Sequence, residues 1–115
     1  MFPQLYNDDM FNIMGNIEPQ SIDLLLTDFP YGTLNKRNEW DVVIDYEKFW
    51  NYVDVICKPN AAIISTAQQP FTTKLISTNY SMFRYCWVWE KSKASGYLNS
   101  KKMPLKAHED IVVLY

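Results

Sequence analysis

The chain has 115 residues, is 48% hydrophobic and 16% aromatic, and carries a formal net charge of −2. That length suits one compact domain spanning 1–115 and is too short for two, and so apolar a composition excludes a chain disordered by its make-up. The near-neutral balance excludes overall charge as the draw towards nucleic acid. The segment Lys91 to Lys106 nevertheless holds five lysines and no acid. Cys57 and Cys86 are far apart and lack metal-type spacing, and no secretory signal opens the chain. Two reduced, buried thiols in a cytoplasmic protein are therefore expected. No apolar run approaches the roughly 18 residues of a membrane span.

In chain order, "QLYN" is a short strand candidate. "DDMFNIMGNI" follows, with Met10, Ile13, Met14 and Ile17 at helical spacing and acids at its start, where the helix dipole favours them. "EPQS" breaks the chain, and "IDLLLTD" reads as a strand apolar on both faces. After "FPYG" and the polar loop "TLNKRNEWDVV", the segment "DYEKFWNYVDVICK" sets Tyr46, Phe49, Trp50, Val53 and Ile56 on one helical stripe, ended by "KPN". "AAIIST" is a second apolar strand. "QQPFTTKLIST" reads as a helix with Pro70 in its first turn, where the missing N–H costs nothing. "MFRYCWVWEK" and "HEDIVVLY" are the last strands. The alternation predicts an α/β layered domain with a mostly parallel sheet.

In an open parallel α/β sheet, ligands bind beyond the carboxyl ends of the strands. Asp28 sits at such an end, before the turn of Phe29, Pro30, Tyr31 and Gly32. Pro30 fixes its own backbone angle and pushes Phe29 towards an extended conformation. Gly32 allows a sharp turn. A carboxylate, the Phe29 carbonyl and a tyrosine ring brought together in this way suit a planar ligand bearing an amino group. The oxygens accept the amine hydrogens and the ring stacks. The same residues also suit an ordinary strand and Pro-Gly turn, with Asp28 as a cap.

"TDFPYG" resembles the D-P-P-Y motif of the amino-group (N6-adenine and N4-cytosine) DNA methyltransferases. "LYNDDMFNIMGNIEPQSIDLLLTDFPYGT", "NEWD", "AQQPFTTKLI" and "WVWEKSKASGYLNSKKMPLKAHEDIVVLY" resemble, in order, the blocks of those members in which this motif comes early. The resemblance covers essentially the whole chain. It implies a partial Rossmann-like S-adenosylmethionine-dependent methyltransferase fold with helices on the faces of the sheet. It also implies site-specific methyl transfer to the exocyclic amine of a base flipped out of double-stranded DNA, with adenine N6 favoured by the acid of the motif. Asp28 and the Phe29 carbonyl would then hold the amine, Pro30 would fix the turn, and Tyr31 would stack on the base. Asp9 and Asp28 are the candidate cofactor contacts, although Asp9 reads slightly more readily as a helix N-terminal acid. Phe29 departs from the usual proline, at a position where the backbone makes the contact.

Lys101 and Lys102 are candidate phosphate contacts, although a solvated loop is the ordinary reading of any single lysine. Trp40 is a candidate wall of the base pocket. Trp50, Trp87 and Trp89 read as core residues, and His108, beside Glu109, as a structural hydrogen-bonding residue. No histidine-based metal site is expected. The family's glycine-rich F-x-G-x-G cofactor block has no counterpart here, since Gly15, Gly32 and Gly96 are widely spaced. The alternative is therefore a truncated, inactive relative that binds DNA or protein, or one half of a split enzyme. A half-sheet predicts an exposed apolar edge or face, and with it a homo-oligomer or a complementing second polypeptide.

Overall fold

The computed structural model describes residues 3–31, 43–95 and 101–115. Its elements run α1 (Met10–Met14), β1 (Ile22–Asp28), α2 (Tyr46–Ile56), β2 (Cys57–Ala67), α3 (Phe71–Thr78), a 3-10 turn (Tyr80–Met82), β3 (Phe83–Ser95) and β4 (Lys106–Leu114). The strands form one sheet in the order β1-β2-β4-β3.

The α/β class expected from the sequence holds, with a mixed sheet. β1 and β2 are parallel, whereas β4 is antiparallel to both β2 and β3. A parallel pair needs a crossover, and α2 provides it between β1 and β2. No helix separates β3 from β4 among the described residues, so that pair runs antiparallel. "QLYN" is not a strand: Leu5 is 98% exposed, and these residues lie outside any ladder.

Each helix begins where local chemistry stops its first amides from being orphaned. Asp9 caps α1 by accepting from the Phe11 amide at 2.8 Å, and Asp45 caps α2 through the Lys48 amide at 3.1 Å. Pro70 stands at the N-cap of α3 rather than inside its first turn. The predicted stripe of α2 is the buried one, with Tyr46, Phe49, Trp50, Val53 and Ile56 all facing inward. These side chains join Ala61, Ile63 and Ala67 of β2, Leu75 of α3, and Val112 and Leu114 of β4 in one core. Burying a side chain such as Phe49 or Ile56 contributes about 1.5–3 kcal/mol. Trp50 adds a hydrogen bond from its indole N–H to Thr78 Oγ1 at 2.9 Å, which ties α2 to α3.

The described helices pack on one face of this sheet. Alternation along the strands and the pairing register put Leu24 and Leu26 on the opposite face, with Ile64, Ile111, Val113, Tyr85, Trp87 and Trp89. Leu26 is 72% and Trp87 53% exposed. The expectation that Trp87 and Trp89 belong to the core is therefore corrected, whereas Trp50 is buried as expected. Cys86, expected to be buried, is exposed on the edge strand β3, while Cys57 is buried. None of the described helices is long and apolar enough to cross a membrane.

Candidate functional site

The parallel register sets Asp28 directly beside Thr66. The Thr66 hydroxyl donates to Asp28 Oδ1 at 2.5 Å, which fixes the carboxylate at the tip of β1. Two consecutive strand ends thus supply one polar unit, at the place where an α/β sheet offers a ligand site.

The turn after Asp28 is anchored by aromatic packing. Phe29 is buried, its ring edge-on to Tyr46 at 5.5 Å and to Phe49 at 4.9 Å. An inward Phe29 side chain leaves its carbonyl as the group available to a ligand. Tyr31 stacks on Phe71 of α3 at 4.8 Å and 17°, so one ring face is already taken. Its hydroxyl donates to Glu109 Oε1 at 3.1 Å. Removal from water, then the Glu109 carboxylate, pushes the Tyr31 hydroxyl up to about 12, with the Thr66 hydroxyl pulling the other way. Tyr31 is therefore a neutral donor at ordinary pH.

Glu109 continues the network, because Lys91 Nζ pairs with its Oε2 at 2.6 Å and sits 3.7 Å from the centroid of the Trp89 ring. Beside this pair lies a cavity of about 420 Å³ lined by Gln68, Lys91, Ser92, Lys93 and Glu109. Further along β4, Asp110 accepts from the Thr72 hydroxyl at 2.6 Å, and His108 Nε2 lies 3.7 Å from its other oxygen. Asp28–Thr66 thus joins β1 to β2, and Tyr31–Glu109–Lys91 joins the turn after β1 to β4 and β3.

Sequence reasoning placed Asp28, Phe29, Pro30 and Tyr31 at one strand end, and the structure brings them together there. It adds Thr66, Phe71, Glu109 and Lys91, which were not assigned to the site. Thr66 had a readable signal, since "AAIIST" also ends an apolar strand on polar residues, as "LLLTD" does. Asp9 stands apart as the cap of α1. Lys101 and Lys102 are exposed in the turn before β4. Trp40 lies outside the described residues. No group of three or more histidine, cysteine, aspartate or glutamate side chains among the described residues is arranged to hold a metal ion.

No family model matches the chain, and no curated protein matches it. A solved structure does: the crystal structure of an M1.HpyAVI–SAM complex superposes with a TM-score of 0.66 at 16% identity, over 96% of this chain and 54% of that chain. The chain thus has the fold of about half of that protein, and spans about half its length.

Proposed function

We propose that the chain is the base-binding part of an amino-group DNA methyltransferase, acting on the exocyclic amine of a flipped base, adenine N6 ahead of cytosine N4. One observation carries this reading: the Asp28 carboxylate, fixed by Thr66, stands next to a turn whose Phe29 ring is buried and whose Tyr31 ring is held on Phe71. A carboxylate oxygen and a backbone carbonyl accept the two amine hydrogens and enrich the nitrogen lone pair, by positioning and electrostatics rather than by a covalent intermediate. Tyr31 offers the base the ring face opposite Phe71. The likeness of fold to a protein solved with SAM supports S-adenosylmethionine as the methyl donor.

The residues at hand fit that donor only in part. In this reading Asp28 stands where amine and methyl group meet. The Asp9 carboxylate is already engaged by the Phe11 amide. The three glycines of the sequence are too scattered to build a backbone cradle for the methionine end. The same scarcity of glycine favours a second reading, a module that binds DNA without turnover.

The test is incubation with tritiated S-adenosylmethionine and duplex DNA, followed by nucleoside analysis, alongside calorimetric titration of each ligand. Labelled N6-methyladenine supports the enzyme. DNA binding without label or cofactor heat supports the module. Binding of neither ligand overturns both.

A further inference from the structure

The Tyr31 ring is held at two places, by two kinds of contact. Phe71 lies nearly parallel to it, with centroids 4.8 Å apart and planes 17° from each other. That contact sets the plane of the ring. Stacked rings tolerate a range of centroid separations, however, so sliding and in-plane rotation are only loosely restrained. The second hold is at the far end, where the hydroxyl donates to Glu109 Oε1 at 3.1 Å, across 78 positions of sequence. Burial, then the Glu109 charge, push this hydroxyl up to about 12, so it keeps its proton and remains a donor. Glu109 is in turn held. Its side chain is 16% exposed, and its other oxygen takes the Lys91 ammonium at 2.6 Å. Lys91 lies 3.7 Å from the centroid of the Trp89 ring, and Trp89 is the direct ladder partner of Glu109. Both carboxylate oxygens are thus engaged, one by the phenol and one by the ammonium.

We infer that Glu109, braced by Lys91, is a positioning residue: it fixes the Tyr31 ring in the orientation that receives a base. The inference rests on the base-binding reading above and adds to it a residue that acts through Tyr31 rather than on the base. Three restraints then meet on one ring. The backbone after Pro30 sets its near end, Phe71 its plane, and Glu109 its far end. A hydrogen bond to a charged acceptor is shorter and stronger than one between neutral groups, and partial burial strengthens it further. The brace matters because a glutamate side chain is long and rotatable. With Lys91 on its second oxygen, the first stays turned towards Tyr31. A base stacks well only on a ring at a set depth and tilt, so a ring loosened at its far end loses the base before it loses Phe71. The competing explanation is an ion pair that serves stability alone. Such a pair would change the melting temperature and leave base stacking untouched.

The test uses the full chain, a single-stranded oligonucleotide carrying one 2-aminopurine, and an otherwise identical abasic strand. Stacking on Tyr31 quenches the 2-aminopurine, and a single strand spares the cost of flipping. Glu109→Ala should weaken binding of the 2-aminopurine strand by about 10-fold and raise its fluorescence at saturation, with the abasic strand bound as before. Glu109→Gln keeps an acceptor for the hydroxyl and should restore most of both, which guards against a misfolded alanine variant. Lys91→Met should give a smaller loss, absent in the Glu109→Ala background. In a Tyr31→Phe background Glu109→Ala should add nothing, because both act through one bond. An undiminished effect in that background overturns the proposal, as does equal weakening of the abasic strand. The ring is read separately, without DNA, by NMR of protein with labelled tyrosine, the Tyr31 signal being assigned from Tyr31→Phe. A signal unmoved by Glu109→Ala overturns the proposal whatever the strands do. A signal that moves, in a protein whose wild type binds neither strand, overturns the base-binding reading and the proposal with it.

Discussion

Thr66 and Asp28, 38 residues apart in sequence, are direct partners in the parallel ladder and share a 2.5 Å hydrogen bond. Because the carboxylate is aimed by its neighbour, Thr66 is a positioning residue. Thr66→Val should lower methyl transfer or base binding by about 10- to 100-fold, and Thr66→Ser should restore most of it. Equal loss in both variants would show that the hydroxyl does not aim Asp28.

Asp28→Asn keeps the shape of the side chain and removes the negative charge. Transfer to the amine should fall by about 100-fold or more, with the melting temperature little changed, since Asp28 is exposed. Retained activity would refute the assigned role.

The two rings that hold the turn differ in what they stabilise. Phe71→Ala removes a buried ring and should cost about 3–5 kcal/mol in urea unfolding. Tyr31→Phe loses only the hydrogen bond to Glu109 and should cost about 1 kcal/mol. If the two variants are equally destabilised, Phe71 is not a support of the Tyr31 ring.

Alkaline stability follows from Tyr31 and Tyr46, both pushed up to about 12, chiefly by burial. An unfolded tyrosine ionises near 10, so above that pH the unfolded chain releases protons that the fold retains. The stabilisation is complete below about 10 and is lost as pH rises towards 12. Urea midpoints should drop across that window, and less steeply in Tyr46→Phe. A midpoint independent of pH there would contradict the buried hydroxyls.

Lys101 and Lys102 stand exposed in the turn before β4. If both meet phosphates, replacing them with Ala should reduce the slope of log affinity against log salt by about 2. An unchanged slope removes the turn from the DNA interface.

Much of the fold was readable from the sequence because its signals are local. Three apolar runs and a helical stripe in α2 declare themselves without knowledge of their neighbours. "QLYN" misled because pairing, rather than propensity, makes a strand. Thr66 and Glu109 escaped notice as site residues because register is not written in spacing. Trp87 and Trp89 were misplaced for a further reason. An aromatic in a strand belongs to the core only if a layer covers its side of the sheet, and no single residue announces that.

The position of β1 bears on how the site keeps its shape. As the outermost strand of the sheet among the described residues, it is braced there by a ladder along one flank, and such a strand yields to fluctuation sooner than one held on both sides. Asp28 therefore rides on a cantilever. What steadies its tip is the set of rings just past it, Phe29 wedged between Tyr46 and Phe49 and Tyr31 laid on Phe71. The accuracy of the site is thus stored in α2 and α3, so substitutions deep in the hydrophobic interior should blunt it before they unfold the chain.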